Sequence, residues 1–130
     1  QRSVNDFNHI KKNRNPFTTK DFNDLYQISI DFLKSTLAMP TDKRRIVITH
    51  HVPTLMHYPE QFKNSILNSA FAVELFDFIE SSNVSDWIYG HHHCNTPAFT
   101  IGNTTMLTNQ LGYVHHNEHK YFNHSAIMDY

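Results

Sequence analysis

The sequence predicts an α/β sandwich in which helix-covered strands come first and antiparallel strands follow. Three observations predict it. Apolar residues recur at helical spacing through 22–37; two short strand-like runs, RIVIT at 45–49 and DWIY at 86–89, each follow a helical segment; and two further strand-like runs meet at Gly102-Asn103.

Taken in order, the first fifteen residues are polar and carry no clear period. Pro16 followed by Thr18, Thr19 and Asp21 marks a helix start, because a threonine oxygen accepts from the orphan amides of a first turn. Phe22, Leu25, Ile28, Phe32, Leu33 and Leu37 then give one apolar stripe, ended by Pro40 and the charged TDKRR. RIVIT is short, β-branched and uninterrupted, which suits a strand covered on both faces and leading directly into His50. Residues 51–68 hold two prolines and no period, as a long functional loop does. A second helix is expected from Asn68 or Ser69 to about Ser82, with Phe71, Leu75, Phe76 and Ile79 facing inward. DWIY is the next strand, AFTIG and NTTMLTN form a tight hairpin, and HSAIMDY is expected to add a last strand.

At 130 residues with 39% hydrophobic content, the chain is sized for one domain with a filled core. The formal charge of −1 supplies no basic field, so neither a nucleic-acid patch nor an anionic membrane partner is expected, and KKNR and DKRR read as solvated turns. A single cysteine, Cys94, excludes an internal disulfide and fits a reducing, cytoplasmic setting. No signal peptide, membrane-length apolar run or repeat is present, so a soluble protein is expected. The chain opens on Gln1 without an initiator methionine, as a piece of a longer protein would.

The 11 histidines carry the chemistry. His50 and His51 follow one strand, and His91, His92 and His93 follow another. Ligands in α/β folds gather at such strand ends, where a rigid scaffold meets a free loop. If the chain stays extended through GHHH, His91 and His93 point the same way with Cβ atoms roughly 6.6 Å apart, and His92 points oppositely. Two such rings can share one ion or hold each of two ions about 3.5–4 Å apart. Gly90, without a Cβ, leaves room for backbone or ligand to approach. His115, His116, His119 and His124 lie in a polar stretch without ligand spacing and read as exposed, as does His57; Cys94 is expected to point away from a metal.

IVITHHVPT, followed by a helix and DWIYGHHH, resembles the C-terminal half of the calcineurin-like metallophosphoesterases, whose later motifs are a strand ending in His and a strand ending in GHxH. VNDFNHI, PFTTKDFNDLYQISIDFL, ILNSAFAVELFDFIE and TNQLGYV resemble a bacterial serine/threonine-phosphatase-like branch, so the likeness spans most of the chain. It implies that residues 1–130 are a single partial domain, the C-terminal half of an α/β/β/α sandwich. It implies two divalent ions, Mn, Fe, Zn or Ni, with His50 and His91 on one and His93 on the other. His51, at the cleft rim, would face a phosphorylated substrate. The family's DxH, GDxxD and GNHD or GNHE motifs do not occur here, so the fragment is expected to need the missing N-terminal half of the same domain and to be inactive alone. NQLG at 109–112 departs from the proline and arginine often found there, which removes a phosphate contact.

Two other readings stand beside the hydrolase. One is a non-catalytic interaction or regulatory domain that keeps the sandwich without turnover. The other is a mononuclear zinc hydrolase using His50, His91 and His93 with an open fourth position.

Overall fold

The structure is a computed structural model that describes residues 4–128. The chain divides into two compact units, Gln1–Asp42 and Lys43–Tyr130.

In the first unit, α1 (Asp6–His9) is followed by a small antiparallel hairpin of β1 (Lys11–Lys12) and β2 (Asn15–Pro16), and then by the long helix α2 (Thr19–Ala38). Helix α2 starts where the sequence signal places it. Thr18 Oγ1 accepts from Asp21 N, and the Asp21 carboxylate accepts from Thr18 N, so two orphan amides are satisfied reciprocally. The apolar stripe is wider than one face: Ile30 is buried, whereas Leu25, Ile28 and Phe32 are more than half exposed.

The second unit is built on β3 (Ile46–Ile48), the short helices α3 (Asn68–Phe71) and α4 (Phe76–Glu80), and then β4 (Asp86–Ile88), β5 (Phe99–Ile101) and β6 (Thr104–Leu107). The sheet order is β3-β4-β6-β5, with β3, β4 and β6 parallel and β5 antiparallel to β6. A mixed parallel and antiparallel sheet with helices is thus observed, in agreement with an α/β class. Trp87, Tyr89, Ile79, Ile101 and Met106 form the core, and Trp87 Nε1 donates to Thr49 Oγ1 at 3.1 Å. The hairpin turns at Gly102 (φ 55°), where an added Cβ would stand 2.9 Å from Glu80 O. Among the described residues no helix is long and apolar enough to cross a membrane.

Four expectations change. Strand β3 lies at the sheet's edge and is covered on one face only: Val47 is buried but Ile48 is 74% exposed. The helix expected over 68–82 breaks after Phe71, because the chain turns extended at Ala72 to pair beside Val52 and Pro53; Val73 N donates to Val52 O and Leu75 N to Pro53 O, both at 2.9 Å. Arg44 of DKRR is exposed, as expected, but is more than a solvated turn residue, since its guanidinium also holds the buried Asp86 carboxylate at 2.8 Å. The described part of HSAIMDY forms no strand, and its last residues, 129 and 130, lie outside the described residues.

Candidate metal centre

The parallel register of β3 on β4 sets Ile46 opposite Asp86 and Ile48 opposite Ile88. Continued past the strands, that register puts residue 50 beside residue 90, and Gly90 N donates to His50 O at 3.2 Å. The two histidine groups therefore leave the sheet side by side. His50 Nε2 lies 2.9 Å from His91 Nδ1, and the His51 ring centroid is 5.2 Å from that of His50 and 4.8 Å from that of His91.

The GHHH segment is not extended. His91 has φ 75° and His93 φ 53°, and His92 N donates back to Gly90 O at 3.1 Å, closing a tight three-residue turn centred on His91. A non-glycine residue held at positive φ in such a turn is strained by about 1–3 kcal/mol, and it persists only where its surroundings fix it. Phe71 packs on the His91 ring at 4.6 Å. Gln110 fixes the rest: its Oε1 accepts from His93 N and its Nε2 donates to Cys94 O, both at 2.9 Å. Gly90 is not required by space, because an added Cβ would meet its nearest neighbour at 3.5 Å, an ordinary contact.

The three rings of the triplet go to different places. His91 reaches His50 and His51; His92 is buried between Tyr58 and Tyr89; His93 turns to Glu118, with His93 Nδ1 2.9 Å from Glu118 Oε2. Burial, followed by the neighbouring His51 and His50, pushes His91 down to about 4, so its ring is neutral near pH 7 with a lone pair to offer. Burial also lowers His92 and raises the Cys94 thiol.

The other histidines divide. His115, His116 and His124 are exposed as expected. His119 is half-buried instead, with its Nδ1 shielded and unpartnered, because the 3₁₀ turn Glu118–Tyr121 folds it inward. His57 is exposed and stands edge-on to Phe99 at 4.7 Å. Cys94 Sγ accepts from Gln61 Nε2 at 3.6 Å.

The His50–His91 pair fits one divalent ion. With metal–nitrogen bonds of about 2.0–2.1 Å, nitrogens on adjacent vertices lie roughly 3.0–3.4 Å apart, which a small ring movement from 2.9 Å reaches. The pair is an incomplete set, since among the described residues no three His, Cys, Asp or Glu side chains are grouped to hold an ion. Gln110 and Glu118 were not legible as partners of this site. Neither lies at a ligand spacing.

No protein-family model, curated protein or solved structure matches the chain.

Proposed function

We propose that this chain is the histidine-bearing part of a calcineurin-like metallophosphoesterase, a C-terminal half of the sandwich that contributes to phosphoric ester hydrolysis. The observation that carries the reading is the contact of His50 Nε2 with His91 Nδ1 at 2.9 Å, made by a strained turn at the ends of two parallel strands. Strain at a strand end, where it aims a neutral imidazole at a second one, is what a ligand site would use.

In this reading His50 and His91 hold one divalent ion and His93 the other, while His51 stands beside them toward the phosphorylated substrate. The ions, Mn, Fe, Zn or Ni, when bound would lower the pKa of water from about 15.7 to about 7 and neutralise charge on the phosphoryl group. The chain's own task is to present lone pairs: β3 and β4 fix the rings at their ends, Phe71 supports His91, and Gln110 holds the turn. The remaining ligands, carboxylates among them, would come from a partner segment equivalent to the family's N-terminal half, and a cytoplasmic setting fits the single thiol.

A second reading, a non-catalytic domain, draws on the same distance. A separation of 2.9 Å is also that of two neutral imidazoles sharing one proton. Elemental analysis and hydrolysis of an aryl phosphate by this chain combined with such a partner segment separate the two. Two equivalents of divalent metal and turnover abolished in His91→Ala are expected; metal-free protein without turnover would leave the non-catalytic domain.

A further inference from the structure

We propose that the cavity at the end of β6 is a binding site for a neutral sugar ring. It is a space of about 480 Å³, within the usual range for small-molecule sites, and its walls come from three segments, 95–97, 108–109 and 121–126. All of them belong to the second unit. Among the described residues that line it none is charged, so neither a phosphoryl group nor an ammonium finds a counter-charge there.

Asparagine, threonine and tyrosine form the walls instead. Asn95 Nδ2 donates to Gln110 O at 2.8 Å while its Oδ1 accepts from Gln110 N at 2.6 Å. Asn109 repeats the arrangement on Asn123, donating to Asn123 O at 2.8 Å and accepting from Asn123 N at 2.9 Å. Paired bonds of this kind fix which way each amide faces. An amide has two N–H donors and two acceptor positions on its oxygen, so Asn95 and Asn109 each keep one donor and one acceptor in a set plane. Thr108 Oγ1 accepts from Thr96 N at 3.0 Å and donates to Thr96 O at 3.3 Å, which ties the second wall to the first. Tyr121, in the third wall, is 79% exposed and offers an apolar ring.

That combination selects the ligand class. A sugar hydroxyl both donates and accepts, so it uses an amide's spare donor and spare acceptor together, and its hydroxyls stand around the ring as the three walls do. A nucleobase presents a fixed order of donors and acceptors along an edge and would meet one wall only. The pairing of β4 with β6 places the cavity at the sheet end that carries the histidines, since Tyr89 N donates to Leu107 O at 3.0 Å just before His91 and Thr108. In the function proposed above, the cavity would seat the uncharged part of a phosphoric ester. Binding of a neutral sugar rests neither on that reading nor on any ion or added segment.

The test titrates the methyl glycosides of glucose, galactose and mannose into the 130-residue chain and follows its side-chain amides in proton–nitrogen spectra. At least one glycoside is expected to give saturable shifts at Asn95, Asn109 and Asn123. Tyr121→Ala, which removes a ring that is mostly in solvent, should raise the half-saturating concentration by about three- to tenfold, and Tyr121→Phe should bind as the parent does. No saturable shift with any of the three glycosides, or shifts confined to residues away from the cavity, overturns the site. Inorganic phosphate or adenine saturating the same amides at a lower concentration overturns the ligand class. Equal binding by Tyr121→Ala overturns the seat on that ring. The titration hydrolyses no ester, so each of these outcomes leaves the phosphoesterase reading to the metal analysis and turnover described above.

Discussion

Gln110 Nε2 lies 2.9 Å from His92 Nδ1, and the same side chain bridges the main chain that follows His92, from His93 N to Cys94 O. The two backbone groups fix the amide's orientation, since His93 N requires an oxygen and Cys94 O requires a donor. His92 Nδ1 must then accept, and His92 carries its proton on Nε2. Gln110→Ala removes all three bonds and leaves partly buried groups unpaired, so a loss of about 1–3 kcal/mol is expected, read as a lower urea midpoint at unchanged slope. Amide exchange at His93 should accelerate together with it. A midpoint within error of the parent would mean that the turn holds itself.

The strain at His91 makes a second expectation. Its φ of 75° suits glycine, so His91→Gly should be more stable than His91→Ala by about 1 kcal/mol, although both lose the Phe71 and His50 contacts equally. Neither should bind divalent metal at this site. Paired urea denaturations check it: equal stabilities would show that the positive φ carries no strain, and with it the argument that the turn is maintained for a ligand.

What was legible in the sequence follows the range of the interactions. Thr18 and Asp21 act within one turn of helix, and Gly102-Asn103 within one hairpin, so both were readable from adjacent residues. That the His50–His51 and His91–His93 groups leave the ends of two strands was readable, each being marked by a strand-like run, whereas the contact of His50 with His91 was implied only by the family resemblance. The turn through 91–93 was not readable, because Gln110 and Glu118 hold it from 17 and 25 residues away, and local alternation predicted an extended chain. The break at 72–75 has the same origin. Val52 and Pro53 offer main-chain partners to Val73 and Leu75, and those bonds override a helical period.

Helix α2, in the first unit, offers a separate pH test. Hydrogen bonding from Lys12, then from the Thr18 side chain and backbone, lowers Asp21 from 3.8 to about 2. A depressed carboxyl contributes stability that is complete above its ordinary value and is lost as pH falls toward the folded one. Helical signal from α2 should therefore weaken between about pH 4 and pH 2, and Asp21→Asn should remove that phase. Thr18→Ala, which takes away the oxygen accepting from Asp21 N, should cost about 1 kcal/mol at neutral pH. Circular dichroism against pH reads both; an acid phase that survives in Asp21→Asn would assign it to another carboxyl.

Arg44 and Asp86 anchor the start of the central strand. Asp86 is 5% exposed and pairs in register with Ile46 and Thr105, while Arg44 Nε and Nη2 reach its Oδ2 at 3.1 and 2.8 Å. The guanidinium is partly solvated, so its removal is felt mainly through the carboxylate it leaves behind. Arg44→Ala is expected to lower stability by about 1–3 kcal/mol, and Asp86→Asn by less, because the amide oxygen still accepts from Arg44. A double-mutant cycle isolates the pair from the other contacts of Arg44. A coupling energy near zero would show that strand pairing alone holds Asp86 in place, leaving the approach of β4 to His91 independent of this ion pair.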